Sequence, residues 1–285
     1  MQPIPTTPTL AYVTPEATRG RSAAVPAFGA RSALVKDHIY WFETRGLIFT
    51  SPWVVTFDTE RQPAVLLLSA SGQPIELAVG GGFARHRAFA IAPLTRRDLC
   101  AVDVGLISVN IQPHHPCFGA FCRIARPGAR ALSRSAFARF DAELVRAYEG
   151  RLGWREAESL FEALIETAVT QLAQGEHRDE RTALLHALLR QNPDCSLDEV
   201  ARALNVSYTG ASHLFARSVG LPLRTYQHWI KCMRATQWFG GDATLTEIAQ
   251  RAGFADSAHL SRAWQRRYGF PPSYVRDPSH VRVIS

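Results

Sequence analysis

The spacing of apolar positions changes character along the chain. Between about residues 25 and 124 they come in short runs, "GLIFTSPWVVTFD", "PAVLLLSASG", "PIELAVGGG", "RAFAIAPL" and "GLISVNIQP", each interrupted or ended by Gly or Pro. Such punctuation predicts the strands of a β-barrel or sandwich. From residue 133 to 174 the period lengthens to that of a helix. In "WREAESLFEALIETAVTQLA", Trp154, Ala157, Phe161, Leu164, Ile165, Ala168 and Leu172 form one stripe, while Glu158, Glu162 and Glu166 recur on another face. That stripe fits a helix packed on the β-rich part. The seven-residue spacing of Trp154, Phe161 and Ala168, with Leu164 beside them, fits a dimerisation seam equally well. Residues 1–24, rich in Pro and Thr and without a period, read as a flexible tail, and 175–181 as a linker.

The last third contains an internal repeat. "SLDEVARALNVSYTGASHLFARSVGLP" and "TLTEIAQRAGFADSAHLSRAWQRRYGFP" can be laid over each other. Ser196 with Glu199, and Thr244 with Glu247, have the spacing of a capping box, which starts a helix by satisfying its free N–H groups reciprocally. Asn205 and Gly253 fall where each first helix must end with positive φ. Ser207 and Asp256 are the next N-caps, and Val206 and Phe254 are the apolar plugs of the turns. Beyond them Ala211, Leu214 and Phe215, and then Leu260, Ala263 and Trp264, mark the inward face of each second helix. Helix, tight turn and helix, twice over, is a pair of helix-turn-helix motifs. They are expected at about 196–218 and 244–267, joined by a helix at about 222–239 between Pro222 and Gly240. A linker of that length, ~25 Å at 1.5 Å per residue, holds two recognition helices roughly one DNA turn apart.

Charge reinforces this picture. The formal net charge is +7, and residues 182–285 hold 12 Lys/Arg against 7 Asp/Glu, while residues 1–181 hold 20 against 18. The excess therefore gathers where the repeats lie, as it does in a domain that meets phosphates. Five cysteines without a C-x-x-C pair, no signal-peptide pattern and no spanning apolar run lead to the expectation of a soluble, cytoplasmic protein without membrane contact.

The second repeat resembles the signature of the AraC/XylS family of bacterial transcription regulators. The matching residues are Ile248-Ala249, Gly253-Phe254, Ser257 or Ala258, Leu260-Ser261-Arg262, Trp264, Gly269, Pro272 and Tyr274. Leu260 and Trp264 stand where phenylalanines are usual, and Tyr274 falls one place early. The resemblance covers about residues 181–285; residues 25–174 match only in plan, a cupin-like β-barrel or sandwich followed by helices. It implies an α+β multidomain protein. Residues 25–174 would be the regulatory domain for effector binding or dimerisation, β-rich to about 125, and 182–285 the all-α domain that binds double-stranded promoter DNA. It further implies a homodimer, a small-molecule effector, contact with RNA polymerase, and activation of transcription. Base-contacting positions carried over by the resemblance are Thr209, Ser212, His213, Ser257, His259, Ser261 and Arg262. Arg262 is the strongest candidate, since a guanidinium can donate twice to guanine O6 and N7. Arg217, Arg266 and Arg267 are assigned to phosphates.

Other chemistry finds little support. His114, His115, Cys117 and Cys122 lie close together but match no zinc spacing. His86 is not part of the H-x-H pair of a catalytic cupin, and alternation sends Arg85 and Arg87 to the face opposite His86. No nucleophile elbow, Walker loop or redox motif occurs, so neither cofactor nor metal is expected. Two alternatives stay open: a cupin-like enzyme fused to a DNA-binding domain, and a regulator that needs no effector.

Overall fold

The computed structural model describes residues 36–42, 44–172, 180–192, 194–239, 241–268, 271–279 and 281–284; the expected tail and residues 175–179 of the expected linker lie outside the described residues. The chain is a mixed α+β structure with a sheet in its first part and helices in its last.

The strands are β1 (Asp37–Phe42), β2 (Gly46–Arg61), β3 (Ala64–Ser69), β4 (Ile75–Val79), β5 (Gly82–His86), β6 (Ala88–Ile91), β7 (Thr95–Ile111), β8 (Ala129–Ala131) and β9 (Val281–Ile284). Their order is β8-β6-β3-β7-β2-β1-β9, with β4 paired to the first half of β7 and β5 to β4. All pairs are antiparallel except β9 with β1. The apolar runs are thus strands, but β1, "DHIYWF", and the first half of β7, "TRRDLCAVDV", went unread because charges interrupt them or no flanking turn marks them.

Helices follow: α1 (Phe118–Cys122), a 3-10 turn at Arg134–Phe140, α2 (Asp141–Tyr148) and α3 (Trp154–Val169). Alternation along β1 and β2 divides their side chains between two cores. Tyr40, Phe42 and Ile48 pack with Phe118, Phe137, Leu144 and α3, while Ile39, Leu47 and Phe49 pack with the C-terminal helices. Strands buried on both faces read as continuous apolar runs, as "GLIF" does. The α3 stripe belongs to the first of these cores. Phe161, Leu164 and Ala168 are fully buried and Trp154 Nε1 donates to the Trp41 carbonyl at 3.0 Å. The expected dimer seam therefore faces inward, because a helical stripe looks the same whether its partner is a second copy or the chain's own sheet.

The last part comprises α4 (Glu180–Gln191), α5 (Leu197–Leu204), α6 (Tyr208–Val219), α7 (Leu223–Thr236), α8 (Leu245–Arg251), α9 (Ser257–Tyr268) and α10 (Pro272–Arg276). Helix α7 holds 14 residues, ~21 Å, and ends before the Gly240-Gly241 pair. Among the described residues no helix is long and apolar enough to cross a membrane.

Candidate nucleic-acid interface

Helices α5 and α8 begin in the same way. Ser196 Oγ accepts from the Glu199 N–H at 3.2 Å while the Glu199 carboxylate accepts from the Ser196 N–H at 2.6 Å; Thr244 and Glu247 repeat the exchange at 3.3 and 2.7 Å. These backbone bonds hold both carboxyls below the usual carboxylate range. The two helices also end alike. Asn205 (φ 49°) and Gly253 (φ 80°) are left-handed. The next N–H, of Val206 or Phe254, bonds five residues back, to the Ala201 carbonyl at 3.0 Å or the Ala249 carbonyl at 2.8 Å. Helices α6 and α9 then start on side-chain caps: Ser207 Oγ accepts from Gly210 N–H at 3.1 Å and Asp256 Oδ1 from His259 N–H at 2.5 Å.

Packing settles which side chains face out. Ala211, Leu214, Phe215, Leu260 and Trp264 are buried, and Ala263 is half-buried. On α6 that leaves Thr209, Ser212, His213 and Arg217 exposed, and on α9 Arg262 and Arg266. Ser257, His259 and Ser261 are half-buried. The His259 ring meets Phe254 edge-on at 5.3 Å and His228 of α7 at 5.9 Å, so it is held against the turn. The Arg267 side chain lies outside the described residues. Tyr208, 57% exposed at the first position of α6, is a further candidate that sequence reading passed over because aromatic residues are usually assigned to cores.

The helices are fastened to the sheet at several points. His114 Nε2 lies 2.5 Å from the Tyr226 hydroxyl, and the His114 ring stands edge-on to Trp229 at 4.7 Å. Its neighbour His115 turns away to Glu162 Oε2 at 2.9 Å. Gly220 (φ 75°) sits so close to α1 that a Cβ there would come 2.3 Å from Cys122 Sγ. Trp264 of α9 stacks on Trp41 of β1 with ring centroids 6.3 Å apart. Tyr274 donates to Asp37 Oδ2 at 2.5 Å, and β9 extends the sheet beside β1, with Ile39 opposite Val283. A cavity of about 1130 Å³ lies along this seam, lined by Lys36, Trp41, Ile230, Phe239, Arg276 and Arg282 among others.

Chemically, two capped and rigidly packed helices that present hydroxyls, an imidazole and guanidiniums are suited to groove edges and phosphates. Residues 200–277 match the model of a helix-turn-helix domain family. The chain is 26% identical over 133 residues to the transcriptional activator NphR of Rhodococcus sp, a stretch that covers 45% of this chain and 38% of that protein. Similar solved structures include ToxT from Vibrio cholerae O395 (13% identity, TM-score 0.45, covering 78% of this chain and 91% of that one). Another is the AraC-like transcriptional activator CuxR (13% identity, TM-score 0.35, covering 66% and 76%).

Proposed function

We propose that this chain, which belongs to the AraC/XylS family of transcription regulators, uses both of its helix-turn-helix units to bind promoter DNA sequence-specifically, as an effector-responsive activator. The observation that carries the reading is the duplicated geometry: two supporting helices with the same capping box, left-handed stop and five-residue return bond, each placing a capped second helix with a polar outer face.

In this reading Thr209, Ser212 and His213 on α6, and Arg262 with Ser257, His259 and Ser261 on α9, meet base edges. Arg262 supplies the bidentate contact to guanine. Arg217, Arg266 and Arg267 hold phosphates and set the register. Residues 182–285 form the DNA-binding domain and 25–174 a cupin-like regulatory domain. Similarity to the transcriptional activator NphR supports activation; in this reading the chain acts as a homodimer that contacts RNA polymerase. The seam supports effector response: a ligand with different affinity for the docked and released arrangements would shift the population between them.

Selection of duplexes from a random pool, followed by fluorescence anisotropy, tests the reading. The selected duplex should bind at least ~10³-fold more tightly than a scrambled one at physiological salt. Equal affinity for the two would leave only charge-driven binding and contradict it.

A further inference from the structure

Two arginines stand on one face of the sheet, Arg97 buried and Arg61 half-buried, and among the described residues neither has a counter-charge. Arg97 on β7 is 4% exposed, and Arg61 on β2 has its Nε buried without a partner. Arg97 lies opposite Thr59 of β2 and opposite Val79 of β4, and Arg61 lies opposite Thr95. Directly opposed residues share a face of the sheet. Both guanidinium-bearing residues therefore stand on the face where, two residues along β7, Leu99 lies between Thr56 and Leu77. Leu77, Val79 and Leu99 belong to the apolar cluster inside the sheet, and Thr56 Oγ1 is buried there without a partner.

Arg97 Nη1 donates to the Thr95 carbonyl at 3.1 Å, but among the described residues no carboxylate pairs with either guanidinium. Burial pulls Arg61 down to about 10; burial, and then the charge of Arg61, pull Arg97 down to about 9. Both stay protonated at neutral pH. Two like charges side by side, one buried and the other half-buried, are costly unless an anion joins them. The strand also bulges at this point. The β2–β7 register slips between Thr56 and Thr59, where Asp58 has φ 51° and Phe57 is 68% exposed.

The geometry points to an anion site between β2 and β7, in which Arg61 and Arg97 clasp the carboxylate of a small organic acid whose apolar body lies against Leu77, Val79 and Leu99. Thr56 Oγ1 supplies a further hydrogen bond. Oxyanions of several kinds share the guanidinium chemistry; the apolar wall selects a carboxylate on an apolar body over inorganic phosphate. Only the consequence for DNA rests on the regulator reading, because binding itself does not involve the helix-turn-helix units.

Thermal denaturation of the full chain in benzoate, and separately in inorganic phosphate, tests the site. Benzoate should raise the melting temperature of the wild type by mass action. Arg61→Met and Arg97→Met should each weaken the apparent benzoate affinity by roughly tenfold or more. Without ligand, Arg97→Met should melt at or above the wild-type temperature, since it removes an uncompensated charge; a merely structural arginine would lower it. An Arg276→Ala/Arg282→Ala variant, altered in the seam cavity, should keep the benzoate response. The site is overturned if neither anion stabilises the wild type, if phosphate does so and benzoate does not, if both Met variants respond fully, or if only the seam variant loses the response. DNA affinity measured in parallel separates the two readings: benzoate that binds without changing it supports the site while removing its effector role.

Discussion

The two helix-turn-helix units share a backbone grammar and differ in what they carry and what they lean on. Helix α6 has one arginine, Arg217, amid hydroxyls and His213; α9 has three, Arg262, Arg266 and Arg267. The first unit closes its core within the helical part, through Phe215 against Tyr226 at 5.4 Å, and touches the sheet side at Gly220 and, through Tyr226 and Trp229, at His114. The second completes its core with a residue of the sheet, since Trp264 stacks on Trp41, with Phe239 tilted against it, and its chain continues into β9. In the proposed reading the same motif serves once as a softer reader and once as a charged reader fastened to the sheet.

The largest way to break this comparison is Trp264→Ala, expected to cost ~3–5 kcal/mol in chemical denaturation. Phe215→Ala should cost about the same. Only the tryptophan change should also expose Trp41, read as a red shift in its fluorescence. Next, Arg262→Ala should weaken specific binding by ~1–3 kcal/mol and relax one base position. Arg266→Ala should weaken all sequences alike and lower the salt slope by ~1. Ser196→Ala and Thr244→Ala should each cost ~1 kcal/mol of stability, because the same cap is removed from each unit. The smallest effect is in acid. Glu199 and Glu247 have depressed values in the fold, so their stabilisation is fully present above the unfolded carboxyl range and is lost as pH falls through the folded values. A Glu199→Gln/Glu247→Gln variant should therefore lose stability less steeply between pH 7 and 3 than the wild type, read by urea melts.

Much of the helical part was legible because its signals are local: a hydroxyl three residues before a glutamate, or a Gly or Asn at the stop, decides a turn of backbone without help from elsewhere. The stripe of α3 was legible as a helix, yet its partner was not, since Phe161 and Leu164 carry no mark of which surface buries them. The β9 strand, "VRVI", is too short to stand out, and its pairing with β1 joins residues at opposite ends of the chain. Nothing in the sequence sets Arg61 and Arg97 apart from other charged residues, because only the register of β2 on β7 places them on that inner face. Of the candidate base readers, the exposed set of Thr209, Ser212, His213 and Arg262 follows from helical period alone; the half-burial of His259 depends on Phe254 and His228, which the period does not bring together.

The central claim, that one chain reads DNA with two non-equivalent units, is tested most directly by sequencing the duplexes selected by the wild type, by a Ser212→Ala/His213→Ala variant and by Arg262→Ala. The wild type should enrich two sequence elements with centres roughly 10 base pairs apart. The α6 variant should blur one of them and the α9 variant the other. Enrichment of a single element, or loss of the same element in both variants, would contradict the account.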